Sequence, residues 1–153
     1  MSNDLNLKID FKGVGKWVKS AKKAFITDSL VRNRVHRAVD IVKKEVVEGI
    51  QGPPKSGRTY QRGSVTHQAS APGEYPATDL GELANGITTE VSGLPGGDIV
   101  GKIISSAKYS KALEYGTRTM QPRPFMAPSL KKSRRKINNI FKQGIIKPKY
   151  KGK

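Results

Sequence analysis

The longest run of periodic hydrophobic positions begins at about residue 16 and continues to residue 50. Its apolar residues recur mostly at intervals of three and four, the spacing that places them on one face of an amphipathic helix. Asp28 interrupts the run and can cap a helix, so the pattern predicts one long helix or two with a break near Asp28. Gly52, Pro53 and Pro54 end the segment, because proline cannot continue the helical hydrogen bonds.

Two short segments further along the chain carry the β-branched residues typical of strands. They cover residues 86–91 and 98–105, and the glycine-rich segment 92–97 between them is a turn sequence. The pattern therefore predicts a β-hairpin. Because a lone hairpin is only marginally stable in water, we expect it to pack on the long helix or to join further strands.

A short helix and a longer final helix are predicted after this hairpin. Residues 107–115 form the short helical pattern, and Gly116 follows at the position of a left-handed C-cap. Three prolines within 122–128 favour an extended course, in which a buried Phe125 would fix the last helix to the hairpin. Ser129 is a candidate N-cap for that helix. Its apolar positions are Leu130, Ile137, Ile140 and Phe141.

Residues 51–82 separate the long helix from the hairpin and contain Gly, Pro, Ser and Thr throughout. A structureless loop of this length is unusual in a compact domain. We interpret it as a disordered segment or as an arm that becomes ordered against a partner, with Tyr60 and Tyr75 as candidate anchors. Weak β propensity within 58–68 also leaves room for an additional strand.

The combined pattern predicts an α+β fold. A long N-terminal helix would pack on a small, mainly antiparallel sheet, with a C-terminal helix alongside and a long extended loop. We expect one domain over residues 1–141, which includes the loop or arm at 51–82, and a basic C-terminal tail over 142–153.

Composition narrows the possible functions. The 153 residues include no cysteine, which excludes disulfides, iron–sulfur clusters, thiolate zinc sites and a cysteine nucleophile. No stretch reaches the roughly 18 apolar residues of a transmembrane helix. Residues 1–11 contain two acids and no apolar core, so we expect no signal peptide and an intracellular site of synthesis.

Positive charge is concentrated in the last third of the chain. The formal net charge is +17, from 29 basic and 12 acidic residues. Residues 101–153 hold 15 of the basic residues and a single acid, Glu114. Such a block favours contact with DNA or with an acidic protein, although a solvated tail accounts for it equally well at this stage. The candidate contact residues are Lys131, Lys132, Arg134, Arg135, Lys136, Lys142, Lys147 and Lys149.

The sequence contains only partial matches to known catalytic and metal-binding motifs. Residues 49–56 match a phosphate-binding loop only in part, because Pro54 stands where the second glycine belongs. His36 and Asp40 lie one helical turn apart, but two ligands do not form a metal site. A metal-dependent nuclease centred on Asp98 is the weakest interpretation. We therefore expect no enzymatic activity, no metal and no cofactor.

Two segments of the chain resemble a known protein family. The first is S-A-P-G-E-Y-P-A-T-D-L-G-E-L-A-N-G-I at 70–87. The second is Y-S-K-A-L-E-Y-G-T-R at 109–118, followed by P-R-P-F-M-A-P-S-L at 122–130. In this order and spacing they resemble the signature of tail-completion or head–tail joining (neck) proteins of long-tailed bacteriophages. The predicted order of elements also agrees, and the resemblance covers roughly residues 20–141.

The resemblance implies a structural virion protein of the neck or head-proximal tail end. Such proteins complete the tail and join it to the DNA-filled head, as ring-forming subunits around the DNA channel and commonly as hexamers. The implied partners are further copies of the chain, connector, tail-terminator or tail-tube proteins, and duplex DNA contacted without sequence specificity. The implied location is the virion, after synthesis in the host bacterial cytoplasm. The motif residues implied in assembly are Pro72, Gly73, Pro76, Gly81, Leu83, Tyr109, Glu114, Tyr115, Gly116, Thr117, Arg123, Pro124, Phe125 and Pro128.

Glu114 stands out within the second motif because it is the only acid in a strongly basic region. We expect its carboxylate to pair with Arg118, one helical turn further on, or with Arg123.

A general basic nucleic-acid-binding protein without sequence specificity is the alternative function. Its basis is the cationic C-terminal third of the chain and a pI of about 10.2. No groove-reading motif accompanies these charges, which argues against a regulator that recognises a DNA sequence.

Overall fold

The computed structural model describes residues 5–9, 28–52, 54–78, 80–94 and 97–142. The described helices and antiparallel strands together form an α+β fold, as the sequence predicts. In chain order the elements are β1 (Leu5–Ile9), α1 (Asp28–Gln51), β2 (Thr59–Arg62), β3 (Val65–Gln68), α2 (Glu82–Asn85), β4 (Ile87–Ser92), β5 (Val100–Ser105), α3 (Ser110–Tyr115) and α4 (Met126–Lys142).

Helix α1 supplies the largest share of the hydrophobic core. Within the described residues it covers Asp28–Gln51 and ends just before the predicted stop. Residues 16–27 of the predicted helical segment lie outside the described residues. The buried side chains of α1 recur at intervals of three and four, so the predicted apolar face is the one that packs. They are Val35, Ala38, Val39, Val42, Val46 and Ile50, each at most 2% exposed.

Among the described residues, the main sheet has three antiparallel strands in the order β1-β5-β4, and α1 packs against β4 and β5. The predicted hairpin is confirmed as β4 and β5, which pair from Ile87↔Ser105 to Ser92↔Val100. Strand β1 was not predicted, and it pairs with the other edge of β5, placing Leu7 opposite Ile103. The signal for β1 was the alternation of apolar and polar residues from position 5 to position 9, which has the period of two expected of a strand.

The segment predicted as a loop or arm contains a second hairpin. Strands β2 and β3 pair antiparallel and end at Arg62↔Val65. The additional strand expected within 58–68 is thus present as two strands, which form a sheet of their own instead of extending the main sheet. Most of the hairpin side chains are exposed, and the rings of Tyr60 and His67 stack with their centroids 5.7 Å apart.

The C-terminal helix α4 packs along α1, so α1 joins α4 to the main sheet. The prediction that Phe125 is buried is confirmed, since its side chain is 0% exposed within the core. The helix that it leads into docks on α1, however, and not on the hairpin as expected. Residues 143–153, most of the predicted tail, lie outside the described residues. Within the described ranges, no helix combines the length and apolarity needed to cross a membrane.

Candidate functional site

A buried carboxylate holds the start of α4. Glu114, in α3, is only 7% exposed, and its Oε2 atom accepts hydrogen bonds from the backbone N–H groups of Phe125 (2.8 Å) and Met126 (3.0 Å). Its Oε1 atom accepts a third bond from the Ala127 N–H group, at 3.0 Å. The first N–H groups of a helix have no partners within the helix, and a negative charge beside them interacts favourably with the helix dipole. Glu114 is therefore a helix cap that comes from a different helix.

The first turn of α4 also contains the residue that the sequence suggested as its cap. Ser129 lies inside the helix, and its hydroxyl donates to the Phe125 carbonyl at 2.6 Å. The prediction that Ser129 caps the helix is wrong, because α4 begins three residues earlier, where Glu114 supplies the acceptors. Pro128 follows the capped residues and has no N–H group that needs a partner.

The expected ion pair between Glu114 and Arg118 or Arg123 does not form among the described residues. Arg123 has other partners: its Nε–H group donates to the Ser70 carbonyl at 2.9 Å. Its backbone N–H group donates to the Leu113 carbonyl at 2.6 Å. Arg123 therefore ties the proline segment to the arm on one side and to α3 on the other.

Gly116 turns the chain out of α3. Its φ of 76° has the predicted positive sign, but its ψ of −180° is extended and is not that of the predicted left-handed C-cap. A Cβ atom at this position would lie 2.8 Å from the Met120 carbonyl oxygen. That carbonyl accepts a hydrogen bond from the Thr117 N–H group at 2.8 Å, which closes the following turn. Glycine is required here by the backbone conformation and by the lack of space.

A second carboxylate holds the base of the arm. Glu74 accepts hydrogen bonds from the Ser56 hydroxyl (2.6 Å), the Ser56 N–H group (3.1 Å) and the Ala71 N–H group (2.8 Å). The Ser56 hydroxyl, together with these N–H groups, holds the pKa of Glu74 below its ordinary value. Nothing in the sequence pattern predicted this structural role for Glu74. Its only signal was its place as a charged residue in a segment of mostly small residues.

Residues 70–76 of the arm are attached to the body of the protein. The Gly73 N–H group donates to the Pro122 carbonyl at 2.9 Å, and Pro76 is fully buried. Tyr75 is an anchor, as expected: its hydroxyl lies 3.0 Å from the Ser129 hydroxyl. The Nζ atom of Lys132 lies 4.8 Å from the centre of the Tyr75 ring, a cation–π contact. We refer to residues 70–76, Glu114 and residues 122–129 together as the Glu114 junction.

The residues that the resemblance links to assembly fall into two groups. Most are buried, half-buried or hydrogen-bonded within the fold: Gly73, Pro76, Gly81, Leu83, Glu114, Gly116, Thr117, Arg123, Pro124, Phe125 and Pro128. The others are exposed: Pro72, Tyr109 at 41% and Tyr115 at 71%. Partial burial, followed by the nearby Glu82 carboxylate, raises the pKa of Tyr109. The motifs therefore contain both the interior of the junction and a small set of surface aromatics.

The outward side of α4 is strongly cationic. Its buried residues face α1, and every basic residue of the helix is exposed. Lys131, Arg135 and Lys142 occupy one stripe with Asn138, because they are spaced by three and four residues. We call the exposed polar residues of α4 the α4 basic face. It consists of Lys131, Lys132, Arg134, Arg135, Lys136, Asn138, Asn139 and Lys142. Lys147 and Lys149, also predicted as contacts, lie outside the described residues.

Only one cation of the α4 basic face has an acidic partner among the described residues. Lys132 lies 3.5 Å from the Glu45 carboxylate of α1. The remaining cations stand near one another on a helix that has no acid of its own. Like charges spaced by four residues destabilise a helix by about 0.2–0.5 kcal/mol per pair. The face therefore lowers the stability of the free protein slightly, and a negatively charged partner would relieve this repulsion.

Metal-binding geometry is absent from the part of the chain that the structure describes. It contains no group of three or more His, Asp or Glu side chains that could hold a metal ion. His36 and Asp40 are both exposed on α1, and Asp98 lies in the turn before β5.

Comparison of the chain with protein-family models, with curated proteins and with solved structures found no match.

Proposed function

We propose that the chain is a structural subunit of the neck or head-proximal tail end of a long-tailed bacteriophage. It would complete the tail and join it to the head as a ring-forming subunit around the DNA channel. One observation carries the proposal: parts of the segments 70–87, 109–118 and 122–130, which resemble this family, meet in the Glu114 junction. The Gly73 N–H group donates to the Pro122 carbonyl, and Arg123 donates to the arm. Parts of both motifs thus belong to one hydrogen-bonded unit, although they are separated along the chain.

Exposed aromatic residues of the second motif are the proposed contacts between copies. Tyr115 is 71% exposed and Tyr109 is 41% exposed, so the free fold leaves most of Tyr115 and a substantial part of Tyr109 uncovered. Tyrosine is enriched at protein interfaces, because it offers a large, rigid contact area with one polar tip. Tyr115 follows the buried Glu114 directly, so a contact between copies at Tyr115 would lie next to the junction.

The β2–β3 hairpin is a second proposed contact between neighbours. Its two flanks are joined to each other, because the Gly57 N–H group donates to the Ala69 carbonyl (2.9 Å) and the Ser56 hydroxyl donates to Glu74, whereas the side chains of the hairpin are mostly exposed. Two-stranded hairpins are marginally stable alone. A neighbouring subunit that covers one side of this hairpin would bury it and hold it in place.

The test is the oligomeric state of the full chain. The protein is expressed alone and together with the products of the genes beside its own, and native mass spectrometry and electron microscopy measure the assemblies. We expect a closed ring, with six copies as the resemblance implies, alone or on a co-purified partner. A chain that stays monomeric in every combination would refute the proposal.

A matched pair of variants sharpens the test. Tyr115→Ser removes an exposed aromatic inside the second motif, and Leu94→Ser removes an apolar side chain of comparable exposure (78%) outside both motifs. Both variants should fold as the wild type does, because neither side chain is buried. We expect Tyr115→Ser to prevent ring formation and Leu94→Ser to leave it intact. Equal behaviour of the two variants would show that Tyr115 is not an assembly contact.

A further inference from the structure

The α4 basic face presents cations whose charge is not neutralised within the described part of the fold. Lys131, Arg134, Arg135, Lys136 and Lys142 have no acidic partner among the described residues, and all five are exposed. The positive charge on this side of the molecule is therefore available to a partner.

The chemistry of the face favours a nucleic acid over a protein. Stable protein interfaces are centred on buried aromatic or aliphatic anchors. The exposed side of α4 offers no such anchor, because its only exposed apolar residue is Ala127 and Leu130 is half-buried against the core. A phosphate backbone needs no apolar anchor, because ion pairs with Lys and Arg and hydrogen bonds from N–H donors are sufficient to bind it. Asn138 and Asn139 add amide donors beside the cations.

The length of the face also suits a duplex. From Lys131 to Lys142 the helix rises about 16 Å, at 1.5 Å per residue. A duplex of that length carries about ten phosphate charges, at one charge per 1.7 Å of its axis. The three cations of the central stripe therefore extend along a length of duplex that carries more phosphates than the stripe has cations.

We infer that the α4 basic face binds the phosphate backbone of duplex DNA. Phosphate contacts carry no sequence information, so binding is independent of base sequence. The inference rests on the proposed function for its setting, because a subunit that surrounds the DNA channel is held beside a duplex. It adds the surface that faces the duplex and the residues that make the contact.

The experiment measures binding of the full chain to a labelled duplex of mixed sequence at increasing salt concentration. The face variant is Lys131→Gln, Arg135→Gln and Lys142→Gln together. The control variant is Lys108→Gln, Lys111→Gln and Arg118→Gln, which removes the same charge from exposed positions on and beside α3.

The expected result is a change in the salt dependence of the binding constant. Each phosphate contact contributes about −0.9 to the slope of log K against log salt concentration. The face variant should therefore have a slope about 2.7 smaller in magnitude than the wild type, and the control variant should change it by less than about one contact. Equal slopes for the two variants would overturn the inference. DNA binding would then depend on the total charge of the protein and not on the position of the cations on α4.

A second probe separates DNA from an acidic protein partner. Poly-glutamate replaces the duplex in the same titration, and the inference requires weaker binding to it than to DNA. Tighter binding to poly-glutamate would overturn the inference in favour of an acidic protein surface. The oligomeric state of each sample keeps the two proposals apart. A wild-type chain that forms rings but does not bind DNA refutes only this inference, whereas a wild-type chain that binds DNA but forms no rings refutes only the proposed function.

Discussion

The first turn and the outward side of helix α4 differ in the charged residues that lie beside them. At its first turn, one carboxylate, Glu114, is buried and accepts three backbone N–H groups. Along its outward side, cations stand exposed, and among the described residues only Lys132 has an acid beside it. The only acid of residues 101–153 is therefore used inside the fold, and the surplus positive charge is left on the surface. The comparison distinguishes residues that stabilise the fold from exposed residues that are available to bind a partner.

The largest expected effect comes from removing the buried cap. Glu114→Ala leaves three N–H groups at the start of α4 without their acceptor, and hydrogen bonds to charged groups contribute about 1.5–3 kcal/mol each. We expect the free energy of unfolding to fall by about 3–5 kcal/mol, as measured by urea denaturation. Glu114→Gln keeps one acceptor oxygen and should cost less.

Glu48→Ala is the matched control for this prediction. Glu48 is also a glutamate, but its side chain is 60% exposed and lies 3.7 Å from Lys44 in a surface pair. Its removal should lower the free energy of unfolding by about 0.5 kcal/mol or less. If Glu114→Ala costs no more than Glu48→Ala, the junction does not stabilise the fold in the way described.

The next effect concerns the turn that brings the proline segment beneath Glu114. Gly116→Ala places a Cβ atom against the Met120 carbonyl at a positive φ, and we expect a loss of about 2–3 kcal/mol. Gly63→Ala is the control, because Gly63 also has a positive φ (63°) but has open space around it. That change should cost about 1 kcal/mol. Equal losses in urea denaturation would mean that crowding at Gly116 contributes nothing.

A smaller effect is expected where the arm meets α4. Tyr75→Phe removes the hydroxyl that lies 3.0 Å from the Ser129 hydroxyl, and the aromatic ring remains. We expect a loss of about 1 kcal/mol, the usual contribution of one hydrogen bond. Tyr115→Phe, at an exposed position, should change the free energy of unfolding by less than about 0.5 kcal/mol. Identical results for the two tyrosines would mean that the Tyr75 hydroxyl does not help to hold the arm against α4.

The attachment of the arm should also depend on pH. The folded-state pKa of Glu74 lies below its ordinary value of 4.5, so its hydrogen bonds stabilise the arm above that pH. They are lost as the pH falls through the lower folded-state pKa. NMR signals of the Ser56 and Ala71 amides should therefore titrate together, with a midpoint below 4.5. Glu74→Gln should abolish this titration. A midpoint at or above the ordinary value would contradict the assigned contacts.

The smallest expected effect on stability belongs to the α4 basic face. Replacing Lys131, Arg135 and Lys142 by glutamine together should change the free energy of unfolding by less than about 1 kcal/mol, because exposed positions contribute little to folding. Relief of like-charge repulsion makes a slight gain the expected direction. A large decrease in the free energy of unfolding, measured by urea denaturation, would mean that these cations stabilise the fold and are not available to a partner.

The sequence predicted those elements whose signal is local and repeated. The apolar spacing from Val35 to Ile50 indicated α1, and β-branched residues around a glycine-rich turn indicated β4 and β5. Phe125 was recognised as buried because three prolines fix the chain on both sides of it. In each case neighbouring residues alone carry enough information to define the structure.

The remaining features depend on contacts between distant residues. Glu114 caps a helix that begins twelve residues later, and the sequence around it has no capping pattern, so pairing with an arginine was the natural expectation. The β2–β3 hairpin is exposed on both sides and therefore lacks the apolar alternation that marks a strand. Strand β1 did have that alternation, but a five-residue segment is too short to stand out without its partner β5.

The most direct test compares two arginines in a single measurement. Arg123 belongs to the Glu114 junction, where its Nε–H group donates to the Ser70 carbonyl, whereas Arg135 lies on the α4 basic face. NMR of the Nε–H groups, recorded while duplex DNA is added to the full chain, follows both side chains together. We predict that the Arg135 signal shifts progressively and that the Arg123 signal stays in place. A shift of Arg123 without a shift of Arg135 would contradict the division between a junction that builds the fold and a face that meets the partner.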